Sequence, residues 1–159
     1  YPEWANADDF NVQVDVESSL RVLGASSPTF VTLASTVQTA LCHSHLDAIR
    51  ESGALGRLIA RQAAAFAVDE RMDKRFGATC GDVPDDIINF QHDALACAVA
   101  VGWQEGIAFE DVVFAPEIES GVLHERIDEN GRPARVVTKV DGARFSEFWL
   151  ETIVGNRDD

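Results

Sequence analysis

Asn89-Phe90-Gln91-His92-Asp93, followed by the run Ala94-Leu95-Ala96-Cys97-Ala98-Val99-Ala100-Val101, sets two proton-active side chains at the mouth of an apolar element. An imidazole gives or takes a proton near neutral pH, and a carboxylate beside it can accept hydrogen bonds or coordinate a cation. Such a pair suits acid catalysis next to a metal or a sugar. The plainer alternative is that His92 or Asp93 only caps a core helix. Asp8-Asp9-Phe10-Asn11 is a second polar group, whose two carboxylates and amide can accept from sugar hydroxyls or hold a hard cation through oxygen. Its plainer alternative is a polar turn that feeds a helix cap. Taken with His92-Asp93, it completes a set of carboxylate, amide, imidazole and carboxylate suited to a polyol and a calcium-sized ion.

Two other groups carry less chemistry. Cys42-His43-Ser44-His45 lacks the second ligand pair that a zinc-finger spacing needs. His124 lies on a strand whose alternation puts it with Val122 and Arg126, at a surface or an interface. Cys42, Cys80 and Cys97 are odd in number and widely spaced, which argues against a disulfide framework and for a reducing, cytosolic compartment.

The elements that position these groups follow from periodicity and punctuation. Asp15 is placed to cap a helix over 16–23. Thr29-Phe30-Val31-Thr32-Leu33, after Pro28, has the β-branched and aromatic composition of a buried strand. Ser35 with Gln38, and Ser44 with Asp47, have capping-box spacing and predict two short helices, the second ending near Gly53. Leu55, Leu58, Ile59, Ala63, Phe66 and Ala67 recur at helical spacing and predict one amphipathic helix over 54–76, the main wall of the core. The stretch 77–84 breaks that pattern and is expected to form a loop beside the His-Asp pair. Alanine content predicts a helix from His92 on, with Asp93 in the first turn at the positive end of its dipole. Strands are expected over 111–118, 122–127 and 135–140, with Asn130-Gly131 turning a hairpin between the last two. Asp141 should cap a final helix with Phe145, Phe148, Trp149 and Ile153 on its apolar face and Gly155 at its end.

At 159 residues, with 46% apolar and 25% charged residues, the chain is expected to form a single domain over 1–159, large enough to bury a full core. The longest apolar run, 94–103, is interrupted by Gly102 and is too short to span a bilayer. The net charge of -14 repels nucleic acid and anionic membranes, so neither is expected as a partner. The chain starts at Tyr1 and has its only methionine at Met72, which suggests a piece of a longer protein.

Asp9-Phe10-Asn11-Val12-Gln13-Val14-Asp15, the later His92-Asp93 that opens an Ala-rich helix, and the closing Asp141-Gly-Ala-Arg-Phe-Ser-Glu-Phe-Trp149 together resemble the calcium-dependent nucleoside hydrolases of the inosine-uridine-preferring type. Order, spacing and flanking pattern are similar along essentially the whole sequence, which would correspond to the family's C-terminal half. The resemblance implies an α/β fold: the helix-rich C-terminal portion of an open mixed sheet, with a terminal β-hairpin and a closing helix. It implies that Asp93 gives a carboxylate to calcium, that His92 protonates the departing nucleobase, and that Asp9 and Asn11 bind ribose hydroxyls. Asp9 stands where the family has glutamate, one methylene longer. The family's N-terminal Asp-x-Asp-x-x-x-Asp-Asp cluster, source of most calcium ligands and of the base that activates water, does not occur in this sequence.

The expected activity is hydrolysis of the N-glycosidic bond of a ribonucleoside by the full-length parent, with calcium as cofactor and a homo-oligomer as its state. Base preference would reside near 77–90. A non-catalytic binding or assembly module is the alternative.

Overall fold

The structure, a computed structural model, describes residues 10–155. It is mixed α/β and divides into two compact units. One consists of the chain up to Leu33 together with Ala108–Thr138; the other comprises Ala34–Ile107 and the chain from Lys139 on. Among the described residues no helix is long and apolar enough to cross a membrane.

The first unit begins with the single turn α1 (Phe10–Gln13) and α2 (Val16–Ala25). Asp15 caps α2 as expected: its Oδ1 accepts the Ser18 N–H at 3.0 Å and its Oδ2 the Ser18 hydroxyl at 2.7 Å. The apolar side of this segment, Val12, Val16, Leu20 and Leu23, packs on Phe114, Leu123 and Ala134, and Phe30 meets Phe114 edge-on at 5.1 Å. These side chains rise from a four-stranded mixed sheet in the order β1 (Thr29–Phe30), β6 (Arg132–Val140), β4 (Ile107–Glu119), β5 (Val122–Ile127).

Two expectations for this unit need correction. The buried strand over 29–33 shrinks to Thr29 and Phe30, which pair in parallel with Arg135 and Val136; Thr29 is exposed, and the chain leaves the unit at Leu33. The hairpin expected at Asn130-Gly131 does not form. β5 pairs antiparallel with β4 instead, through Ser120 and Gly121, both at positive φ, as a two-residue turn that matches strand twist requires. β6 lies on the other flank of β4, so the segment through Asn130-Gly131 carries the chain across that strand. There Asp128 Oδ1 accepts the Asn130 N–H at 2.9 Å, and a side chain at Gly131 would run into the Phe114 carbonyl oxygen. β4 also starts four residues before the expected Asp111.

The second unit contains α3 (Leu33–Thr36, entered from the first unit), β2 (Ala40–Cys42), a 3-10 turn at His43–His45, α4 (Leu46–Glu51), α5 (Ala54–Glu70), a wide turn at Asp73–Gly77, β3 (Ile87–Phe90), α6 (His92–Ala100) and α7 (Gly142–Gly155). β2 and β3 form an antiparallel pair, with a bulge between Leu41 and Cys42. Leu41 and Ile88 from this pair, Leu46 and Ile49 of α4, and Ala60 and Ala67 of α5 make the core, flanked by Trp149, Leu150 and Ile153 of α7.

α5 differs from its expected form in length and in face. It ends at Glu70 because Arg71 takes the left-handed conformation, φ 53°, and returns its N–H to Ala67 and Val68. Of the expected stripe Ala67 is buried and Ile59 and Ala63 pack against the core, joined by Gly56 and Ala60, while Leu55, Leu58 and Phe66 are exposed. Close approach to α4 explains the choice, since a Cβ at Gly56 would overlap the Ile49 carbonyl oxygen and Ser52 Oγ. The capping boxes are replaced as well. Ser35 is buried within α3, and the Gln38 amide donates to Ala34 O at 2.9 Å and accepts the Val140 N–H at 2.9 Å, standing in for backbone. Ahead of α4 it is the His45 ring, rather than Ser44 with Asp47, that closes the turn, by accepting the Cys42 N–H. α6 and α7 follow the sequence. Asp141 Oδ1 accepts the Arg144 N–H at 3.1 Å, Phe145 is fully buried, and Trp103 packs on Phe145 and Phe148 at 5.2 and 5.4 Å.

Candidate functional site

Ile87, Ile88 and Phe90 of β3 are buried, and α6 starts two residues after Phe90, so His92 sits at the junction where the chain leaves the sheet pair. Its ring is half-buried, with Nδ1 2.7 Å from Oγ1 of Thr36, itself 4% exposed at the end of α3. The Phe90 ring lies against it, with centroids 5.7 Å apart at a tilt of 40°. Burial pulls the His92 pKa below the ordinary imidazole value, and the neighbouring Asp93 charge offsets part of that fall. Asp93 is exposed in the first turn of α6.

Behind this junction runs a line of buried polar groups that sequence alone did not single out. Thr39 Oγ1 donates to the Thr36 carbonyl at 2.8 Å, the Gln91 N–H donates to the Thr39 carbonyl at 3.2 Å, and the Gln91 side chain meets Ser146 Oγ at 3.1 Å. Ser146 Oγ is also 3.1 Å from the Ala40 carbonyl oxygen. One hydroxyl proton cannot serve both acceptors. With Ser146 donating to Gln91 Oε1, the Nε2 of that buried amide has no partner among the described residues. No spacing rule connects positions 36, 39, 91 and 146; the β2–β3 pairing and the packing of α7 against it do.

A second cluster joins the turn before α4 to the loop before β3. Asp86 accepts the Ser44 N–H at 3.0 Å through Oδ2 and the His43 N–H at 2.9 Å through its carbonyl. His45 Nδ1 accepts the Cys42 N–H at 3.2 Å, which leaves the ring proton on Nε2. Burial lowers the pKa of His45, and the charge of Asp86 partly restores it. Burial and the same Asp86 push the Cys42 thiol up to about 12, so this cysteine stays a thiol and is a poor nucleophile or metal ligand. His45 and Cys42 line an open groove of 1210 Å³, together with Trp103, Glu105, Arg144 and Phe148. His92 and Asp93 are not among its lining residues.

The candidates named from sequence are thus distributed unevenly. His92 and Asp93 stand together in the second unit; Asn11 is exposed on α1 in the first; Asp8 and Asp9 lie outside the described residues. Calcium takes six to eight oxygen ligands. Among the described residues no three His, Cys, Asp or Glu side chains come together to hold a metal, so these residues do not by themselves fit a calcium site. Compared with known proteins, the chain matches no family model and no curated relative.

Proposed function

We propose that this chain is the C-terminal part of a nucleoside N-ribohydrolase, in which His92 protonates the departing base. The order of the Asp9-Phe10-Asn11 and His92-Asp93 motifs supports this, and one geometric observation carries it: a half-buried imidazole with Nδ1 fixed at 2.7 Å by a buried hydroxyl. A general acid must be held in one orientation. Breaking the N-glycosidic bond leaves electrons on the base, and a proton delivered to a ring nitrogen relieves that charge in an oxocarbenium-like transition state. Calcium enters only as a requirement on the rest of the site. Asp93 would be one of its oxygens, and the other ligands and the water-activating base would come from outside these 159 residues.

The test is His92→Ala in the parent, assayed on inosine and on nitrophenyl riboside. General-acid assistance is worth about 10²- to 10⁴-fold, so inosine turnover should fall by that order while the nitrophenyl substrate, which leaves without a proton, is nearly unaffected. Equal losses on both would sink the acid role. A non-catalytic assembly module is favoured by a different observation, the exposed Leu55, Leu58 and Phe66 on α5. A parent that self-associates through this face yet releases no ribose would select that alternative.

A further inference from the structure

We infer that the exposed face of α5 docks on the same face of a second copy of this chain, with the two helices antiparallel and centred on Ala65, so that Arg61 of each copy meets Asp69 of the other. The inference gives that face a partner and a register, and it rests on neither reading of the parent's activity.

Helical spacing sorts the outward residues of α5 into two rows. Arg61, Ala65 and Asp69 follow one another at intervals of four, and Leu58, Gln62 and Phe66 form the adjacent row; all six are exposed, on the side away from the buried Gly56, Ala60 and Ala67. Two charges in the first row are unmatched. Arg61 and Asp69 make no ion pair among the described residues, whereas Arg50 before the helix and Arg75 after it pair with Asp47 and Glu70. Eight residues apart, or about 12 Å along the helix, Arg61 and Asp69 cannot reach each other within one copy.

A two-fold axis beside Ala65 matches both. It sets every residue opposite the one equally far beyond Ala65 in the copy, so Arg61, four residues before, faces Asp69, four residues after, and the pair forms twice. Ala65 is small enough for the two backbones to approach, and the Phe66 rings, one residue from the axis, meet on one flank of it. A parallel arrangement would set Arg61 against Arg61 and Asp69 against Asp69. Charge also favours a contact with cations on it, because two chains of net charge -14 repel each other elsewhere. One pair of 17-residue helices, each about 25 Å long and 10–12 Å wide, covers far less than the ~800 Å² per partner of a stable complex, so the dimer is weak and reversible.

Sedimentation equilibrium of the 159-residue chain tests this. The wild type should show a reversible monomer–dimer equilibrium. Arg61→Asp and Asp69→Arg, each alone, should weaken self-association by about tenfold, because each sets like charges opposite one another twice. Asp69→Arg is the sharper of the two: it lowers the net negative charge, so relief of general repulsion alone would strengthen association instead. Mixing the two variants should restore the dimer as a heterodimer, and the double variant Arg61→Asp/Asp69→Arg should restore it with itself. Both positions are exposed, and circular dichroism of each variant checks that the fold is kept. A wild-type chain that stays monomeric at millimolar concentration, an assembly that Arg61→Asp leaves unchanged, or folded variants that fail to pair on mixing overturns the inference. Ribose release by the parent decides only the hydrolase reading.

Discussion

Gln13 lays its side-chain amide along Leu123 as one strand lies along another, donating from Nε2 to the Leu123 carbonyl at 2.8 Å and accepting the Leu123 N–H at Oε1 at 3.1 Å. β5 is an edge strand, so this amide covers backbone groups that no neighbouring strand reaches.

Replacing Gln13 with Met keeps the length of the side chain and removes both bonds. At about 0.5–1.5 kcal/mol for each, denaturant unfolding should show a loss of roughly 1–3 kcal/mol. Gln13→Glu should cost at least as much at neutral pH, because a carboxylate would face the Leu123 carbonyl, and it should recover as the pH drops through the carboxyl range near ~4.3, where a proton restores the donor.

Gly56 and Gly24 are both helical, yet alanine should act on them in opposite directions. Next to Gly56 the Ile49 carbonyl leaves no room for a methyl group, and overpacking typically costs about 1–3 kcal/mol. Nothing lies within 4 Å of a Cβ at Gly24, so there the better helix propensity of alanine should stabilise by about 0.5–1 kcal/mol. Thermal melts of the two variants check both signs.

Acidification should destabilise the second unit through His45 and His92. Both have folded-state pKa values lowered by burial, so their contribution is fully present above the unfolded value of 6.5; it erodes as the pH falls below that and is gone once the folded-state values are passed. Stability measured between pH 8 and 5 should decline, and His45→Gln should flatten the decline. A pH dependence that His45→Gln and His92→Gln both leave unchanged would contradict the burial of both rings.

On the proposed reading, calorimetry should find no tight calcium binding by the 159-residue chain, and ribose-release assays on inosine and uridine should find no turnover, while a full-length parent should show both. Asp93 alone cannot replace the six to eight oxygens the ion requires. A micromolar affinity in the isolated chain would mean that a carboxylate group such as Asp8-Asp9 completes a site.

The legible parts of the sequence were local ones. The Asp15 and Asp141 caps, the start of α6 at His92 and the bounds of β5 depend on hydrogen bonds or periodicities within a few residues, and the structure has them where they were expected. The errors came where a distant partner decided the outcome. Asn130-Gly131 has hairpin chemistry but Asp128 holds it in a crossing over β4, while the less conspicuous Ser120-Gly121 makes the hairpin. α5 shows its apolar residues at helical spacing, and Ile59, Ala63 and Ala67 do turn inward, but close approach to Ile49 at Gly56 shifts the inner face so that Leu55, Leu58 and Phe66 stay exposed. Within the candidate site the His92-Asp93 pair was visible, whereas Thr36, 56 positions away, could be connected to it only through the fold.

The three thiols give the molecule a built-in clock for its own opening. Cys97 is exposed, Cys80 is half-buried, and Cys42 is buried with its thiol pushed up to about 12 by burial and the neighbouring Asp86, so it stays a thiol near neutral pH. An alkylating reagent should therefore mark Cys97 first and reach Cys42 only in those moments when β2 separates from its surroundings. The lag between the two masses, followed over time, would time the breathing of the strand pair that leads into His92.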